Sequence, residues 1–374
     1  RVKLLDTLTG EIAEVFSEVS GGQTRIRAYV SAHSSLLYAL EDISTAGDEK
    51  RGDGRYANVC YPEYREPVIT NVLPEPITYD TDEPNVLLLD TAEYAFDGEP
   101  WQTEEELLRI DNLFRERLGY PLRTEALAQP WIDQETGITE HKLYLRFTVH
   151  SEMTATGISL ALEEADQAEI MLNGVHITEK PVGYFVDYCM KTVSLPPLEV
   201  GDNVIEVNIP FNRKTNIEWM YLLGDFGVRV EGCHRVIISK PEKIYYGDYT
   251  VQGLPFYAGN IIYTSEIETE DGRLMIEASD YSGALLKVRV DDGDWQYLTF
   301  APYRADLGHV TGGKHRVSLK LYGNRANAFG PVHNTDDSET WYGPDIWRTT
   351  GKKFSYEYRL RKMGVLSSPY YCVI

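Results

Sequence analysis

The sequence predicts an all-β chain: two related β-sandwiches in series, a small β module ahead of them, and one inserted helix. Three observations lead there. A supersecondary unit at residues 169–207 returns in weaker form at 286–319. Each copy has a short apolar run, a dipeptide suited to a tight hairpin (Asn173-Gly174, then Asp292-Gly293), a second strand, an aspartate, and a turn glycine before an alternating strand. The distance from Gly174 to Asp187 is 13 positions, and from Gly293 to Asp306 it is again 13. Second, the outgoing strands NVIEVNI (203–209) and HRVSLKL (315–321) alternate apolar and polar residues, the mark of a sheet with one buried face. Third, only TEEELLRIDNLFRERLGY (103–120) reads as a helix, so no βαβα alternation exists to build a parallel barrel.

The chain opens with VKLLD, a Thr9-Gly10 turn, EIAEVF, a Gly21-Gly22 turn and the period-two run TRIRAYV. These make a small β module at 1–76, together with a charged, glycine-rich loop at 44–57 and a connector punctuated by Pro62, Pro67, Pro74, Pro76 and Pro84. NVLLLDTAEYAF (85–96) opens the next sandwich, which is expected over 77–240. The helix near 103–119 takes Thr103 as N-cap, glutamates 104–106 in its first turn, a stripe from Leu107 to Leu118, and Gly119 as its left-handed stop. Strands follow in HKLYLRFTV (141–149), GISLALEEA (157–165), the repeated unit and GDFGVRVEG (224–232). After Lys240-Pro241 the second sandwich occupies 241–374, with an irregular loop at 324–347 and a final strand KFSYEYRLR at 353–361.

A length of 374 residues accommodates two or three domains. The net charge of −22 speaks against a nucleic acid or an anionic membrane surface as partner, because both require clustered Lys and Arg. Cys60, Cys189, Cys233 and Cys372 are far apart and form no CxxC pair, so a zinc signature or disulfide framework is not expected. That usage favours a reducing, cytoplasmic setting over a secreted one. No apolar run approaches the roughly 18 residues of a membrane span.

No GxSxG elbow, HExxH, Walker loop or dinucleotide fingerprint is present. The eight histidines lack metal-ligand spacing. Glycoside hydrolysis needs only two facing carboxylates, but sequence cannot select them from 58, and Glu163-Glu164 and Glu104 to Glu106 are explained by a turn and a helix N-terminus. No catalytic residue is therefore assigned. The densest polar and aromatic stretch is the 324–347 loop, with Asn324, Arg325, Asn327, His333, Asp336, Asp337, Trp341, Tyr342, Asp345 and Trp347. Planar polar groups beside aromatic faces suit a sugar ring. The plainer reading is an ordered structural loop or an inter-domain contact. Trp295 and Tyr297, after the second hairpin, form another platform for a sugar, or simply pack on a neighbouring strand. No cofactor is expected. Asp336, Asp337 and Asp345 offer oxygens of the kind calcium takes, without EF-hand spacing.

LPFYAGNIIYTSEI (254–267), the two hairpin units with Asp187 and Asp306, TFAPYRADLG (299–308) and NRANAFGPVHN (324–334) resemble the galactose-binding-like jelly-roll domains of large multidomain bacterial glycoside hydrolases, of family 2-like and rhamnosidase-like type. LLDTLTGEIAEVF (4–16) resembles the small β module after the catalytic barrel in such enzymes. NVLLLDTAEYAF, RERLGY and QPW (129–131) resemble the start of the first sandwich. The resemblance implies a non-catalytic accessory region that binds a glycan and packs against a catalytic barrel of the same polypeptide. Two alternatives stay open: a stand-alone glycosidase or lyase with a carboxylate pair in an inter-sandwich cleft, and a purely structural spacer.

Overall fold

The structure is a computed structural model that describes residues 1–7, 10–28, 30, 35–41, 58–59, 71–123, 141–336, 338 and 351–374. It is all-β, with α1 (Leu107–Leu118) as the one long helix among the described residues. No described helix is long and apolar enough to cross a membrane. The N-terminal module pairs Val2–Leu5 with Ile12–Val15 and Leu37–Leu40, and carries the hairpin Ser17–Ser20/Gln23–Ile26.

Two β-sandwiches make up the rest, and one is nested inside the other. The nested sandwich runs from Asn85 to Ile238. Its first sheet has the order Gln102–Glu106, Thr91–Phe96, His141–Ser151, Gly201–Phe211, Glu169–Leu172 and Val175–His176. Its second has the order Tyr184–Phe185, Asp187–Ser194, Ser159–Leu162, Met220–Gly224 and Asn85–Leu89. The host sandwich repeats this plan. One sheet lines up Lys243–Ile244, Ile77–Thr81, Ile261–Thr269, Gly313–Tyr322, Leu285–Val290 and Gln296–Tyr297. The other lines up Arg304–Val310, Gly272–Glu277, Tyr370–Val373 and Asn71–Val72.

The host's first two strands therefore precede the whole nested sandwich in sequence. Ile77–Thr81 pairs antiparallel with both Lys243–Ile244 and Ile261–Thr269, on the far side of the sequence boundary expected at 240. A long-range pairing of this kind leaves no local pattern. Asn85, the first residue of the insertion, ties it to the host: its buried side-chain amide nitrogen donates to Phe226 O (2.8 Å) within the nested sandwich and to Gly253 O (2.9 Å) beyond it.

Alternation builds each sandwich's core. In His141–Ser151, Leu143, Leu145, Phe147 and Val149 point inward, while Tyr144, Arg146, Thr148 and His150 take the other face. The repeated unit keeps its plan: hairpin and outgoing strand share one sheet, and the strand between them crosses to the other. Asp187 and Asp306 play the same local part, each accepting the amide two residues on (Cys189 N, 2.9 Å; Gly308 N, 3.0 Å). The first turn is of the expected kind, with Asn173 at φ 50° and Gly174 at φ 77°. The second is not. There Asp291 takes the positive φ and Val288 pairs with Gln296, so the loop is longer than two residues and Asp292-Gly293 does not close it.

Two further expectations are corrected. Gln102–Glu106 forms an edge strand on Thr91–Phe96, so α1 starts later and its N-cap is Glu106 instead of Thr103. Gly119, left-handed at φ 68°, ends the helix as expected. KFSYEYRLR is not a strand: beyond one bridge from Asn334 to Phe354 it has no β partner, and Tyr358 and Leu360 instead pack against the nested core. The chain's last strand is Tyr370–Val373.

Candidate functional site

Polar chemistry concentrates where the two sandwiches meet. After the host strand Gly313–Tyr322 the chain forms α2 (Ala326–Phe329) and buries Ala328 and Val332 in the nested core. Tyr221 donates its hydroxyl to Ala328 O (3.1 Å). This delivers His333, 2% exposed, to Asp90, which is fully buried at the end of Asn85–Leu89. His333 Nε2 lies 2.6 Å from Asp90 Oδ2, and Nδ1 lies 2.7 Å from Ser355 O. Both neighbours accept, so both ring nitrogens donate and the ring is an imidazolium. Burial works against that charge, but the Asp90 hydrogen bond and the charges of Asp90 and Glu106 outweigh it and raise the His333 pKa.

Asp90 Oδ1 accepts from the Tyr358 hydroxyl (2.7 Å) and from Arg235. Burial would push Asp90 up, yet Arg235 and His333 hold its carboxyl below the usual range. Arg235 also donates to Tyr358 (2.7 Å) and to Thr91 Oγ1 (3.0 Å). Beside this cluster stands Glu106. It accepts from Trp219 Nε1 (2.6 Å) and caps α1 through Leu108 N and Arg109 N, both at 3.0 Å. Burial dominates there and pushes it up to about 7 despite those bonds. The Trp219 ring meets His333 edge-on, 6.1 Å between centroids. Asp90 accepts from three side chains and His333 has no nitrogen to spare. The cluster thus has its polar groups hydrogen-bonded to one another across the junction, a cross-domain clamp.

On the outer side of the nested sandwich's first sheet a cleft of about 610 Å³ opens, lined among others by Glu104, Arg146, His150, His234 and Arg235. Arg235 connects the two environments, with one edge toward the cleft and its guanidinium on Asp90. Arg146 lies over the Trp101 ring at 3.8 Å and bonds Glu206 at 2.9 Å.

A carboxylate pair lies at the end of the nested sandwich's second sheet. Glu163 follows Ser159–Leu162, and Glu218 precedes Met220–Gly224. Asn216 Nδ2 donates to both, to Glu163 Oε2 at 2.9 Å and Glu218 Oε1 at 3.1 Å. Those two oxygens are no farther apart than the bonds laid end to end, about 6 Å. Both glutamates are half-buried. Burial, with Asp187 and Glu164 nearby, raises the Glu163 pKa against the Asn216 bond and Arg123. The helix positions this arrangement. Arg115 of α1 pairs with buried Asp111 at 3.0 Å and donates to Arg213 O and Thr215 O, while Arg123 donates to Asn216 Oδ1. Nothing local in the sequence singles out Asn216 or Glu218. Glu163 was visible only as part of a turn.

Those of the residues expected to bind sugar that the structure describes are not gathered in one place. Arg325 forms a two-bonded pair with Glu83 in the connector between sandwiches (2.5 and 2.6 Å), and Asn324 accepts Ala326 N at 2.9 Å. His333 belongs to the clamp. Trp295 and Tyr297 lie on the outer face of the host sheet. Trp341, Tyr342 and Trp347 fall outside the described residues, as do Asp337 and Asp345. Asp336 accepts Ser338 N at 3.1 Å and faces Lys353 at 3.4 Å. Among the described residues no group of three or more His, Cys, Asp and Glu could hold a metal ion.

No protein-family model and no curated protein matches the chain. Solved structures similar to it include a β-D-mannosidase from Dictyoglomus thermophilum, at 13% identity over 64% of this chain and 31% of that one, with a TM-score of 0.25. An α-L-rhamnosidase from Streptomyces avermitilis matches at 13% identity over 62% and 24%, with a TM-score of 0.23. An anti-sigma factor domain-containing protein from Clostridium clariflavum matches at 10% over 64% and 90%, with a TM-score of 0.20. The chain spans a third or less of either hydrolase. Likeness this loose carries no functional argument.

Proposed function

We propose that this chain is a non-catalytic accessory region of a carbohydrate-active enzyme, two sandwiches locked together to bind or present a glycan beside a catalytic barrel. The lock is the supporting observation: at the junction, Asp90, His333, Arg235 and Tyr358 direct their polar groups at one another, which suits holding rather than turnover. Sequence resemblance supplies the carbohydrate part of the reading. Binding to a glycan array, followed by calorimetry with and without calcium, tests it alongside hydrolysis of nitrophenyl glycosides. The expected result is binding without turnover.

A second reading is favoured by one specific feature, the Glu163–Asn216–Glu218 arrangement. Retaining glycoside hydrolysis uses two carboxylates close together, one with a raised pKa, and the bound of about 6 Å on one oxygen pair here admits such an arrangement. Turnover by the wild-type chain that is lost in both Glu163→Gln and Glu218→Gln would replace the accessory reading with this one. Neither binding nor turnover would leave a structural spacer.

A further inference from the structure

The outer face of the host sheet carries a patch at odds with the rest of the molecule. Lys287 and Arg289 both project there from Leu285–Val290, since Leu286 and Val288, which alternate with them, are buried. Lys287 stands directly opposite Lys320 on Gly313–Tyr322, and opposite Tyr297 on the other side. Rings alternate with these cations. Trp295 lies 4.6 Å from the Arg289 guanidinium carbon and 4.8 Å from Lys287 Nζ; Tyr322 lies 5.3 Å from both Lys287 Nζ and Lys320 Nζ. The order across the face is Arg289, Trp295, Lys287, Tyr322, Lys320, with Tyr297, 60% exposed, at the edge.

Like charges directly opposite each other on adjacent strands destabilise a sheet. Here the cost is borne in a chain of net charge −22, where carboxylates to neutralise lysines are plentiful. Lys320 has Asp82 at 3.6 Å, but among the described residues Lys287 and Arg289 form no ion pair, and the enclosed Arg289 Nε has no hydrogen-bond partner. The nearby turn acids Asp291 and Asp292 are occupied with His315 and Arg316. The lysines also hold the Tyr322 hydroxyl below its ordinary pKa, through a hydrogen bond from Lys287 and the charges of both.

We propose that the face binds a carboxylated polysaccharide, uronate carboxylates meeting Lys287, Arg289 and Lys320 while ring faces lie on Tyr297 and Tyr322. This rests on the accessory reading and names the class of glycan. Three cations in an acidic chain are too few for a nucleic acid, whose charge density calls for an extended basic surface. They match a polymer with one carboxylate per sugar, whose apolar C–H faces suit the exposed tyrosine.

The test measures binding of the whole chain to polygalacturonate, to its methyl ester and to neutral galactan. The double variant Lys287→Ser with Arg289→Ser should bind polygalacturonate at least roughly tenfold more weakly, and the methyl ester should bind the wild type as weakly. Tyr297→Ala, at the exposed edge, should weaken polygalacturonate binding without shifting the melting temperature. Equal affinity for acid and ester overturns the proposal, as does galactan binding without polygalacturonate binding, which leaves the accessory reading standing. Dextran sulfate binding as tightly as polygalacturonate overturns the sugar class. No binding to any glycan overturns both readings.

Discussion

Asp90 and Glu106 are buried within one cluster, yet burial and partners drive them in opposite directions. Asp90, lowered, contributes stability that is present above its ordinary pKa of 3.8 and lost as pH falls below it. Glu106, raised from 4.5 to about 7, contributes stability that is complete below 4.5 and lost as pH climbs through 7. His333, raised, adds a loss in the same direction above its ordinary 6.5. The molecule should therefore be most stable near pH 5. Its melting temperature should drop between pH 5 and 8, and Glu106→Gln should remove much of that drop, on the order of 3 kcal/mol. Parallel pH profiles for the two proteins would sink this account. Little of the cluster was legible beforehand. His333 stood out in its loop, but its partner Asp90 is 243 positions away and sat inside an ordinary-looking strand. Glu106 was visible as a helix-start residue, which it is; its burial against Trp219 was not.

The helix shows what an element's sequence does and does not disclose. Its apolar stripe and Gly119 stop fixed the type and C-terminus correctly. Its start moved to Glu106 because residues 102–106 found a strand to pair with, a tertiary choice that outweighs local capping preference. KFSYEYRLR misled for a related reason: alternation was real, but the buried partner was a neighbouring core instead of a strand. The helix's work lies in Arg115 and its buried partner Asp111, which brace residues 213–215 and so the position of Asn216. Arg115→Ala leaves Asp111 buried with less compensation and should cost about 3–5 kcal/mol by denaturant unfolding. A cost under about 1 kcal/mol would show that the brace is dispensable. If Glu163 and Glu218 prove catalytic, the same variant should lower activity without touching either carboxylate.

At the scale of the whole molecule, the duplicated plan was readable from the 169–207 and 286–319 units because turns and alternation are local. The nesting was not, since ITYDT (77–81) is too short to announce a partner on the other side of another domain. A clamp across the junction should make the two sandwiches one cooperative unit: calorimetry should show one unfolding transition for them, and Asp90→Asn combined with His333→Ala should split it into two. A single transition in that variant would place the coupling elsewhere, for instance in Arg325–Glu83.

Nesting also sets a timetable for biosynthesis. Asp82 and its partner Asn260 are 178 residues apart. At ~5–20 residues per second, a ribosome needs roughly 10–35 s to supply the second after the first. For most of that interval Ile77–Thr81 has neither sheet neighbour made, since Lys243–Ile244 comes late in it and Ile261–Thr269 only after it, and an unpaired edge is open to stray pairing. The nested sandwich, complete by Ile238, can fold in that time, with Asn85 at its start bonded to Phe226. What would have been closure of a very long loop then becomes a short-range docking step.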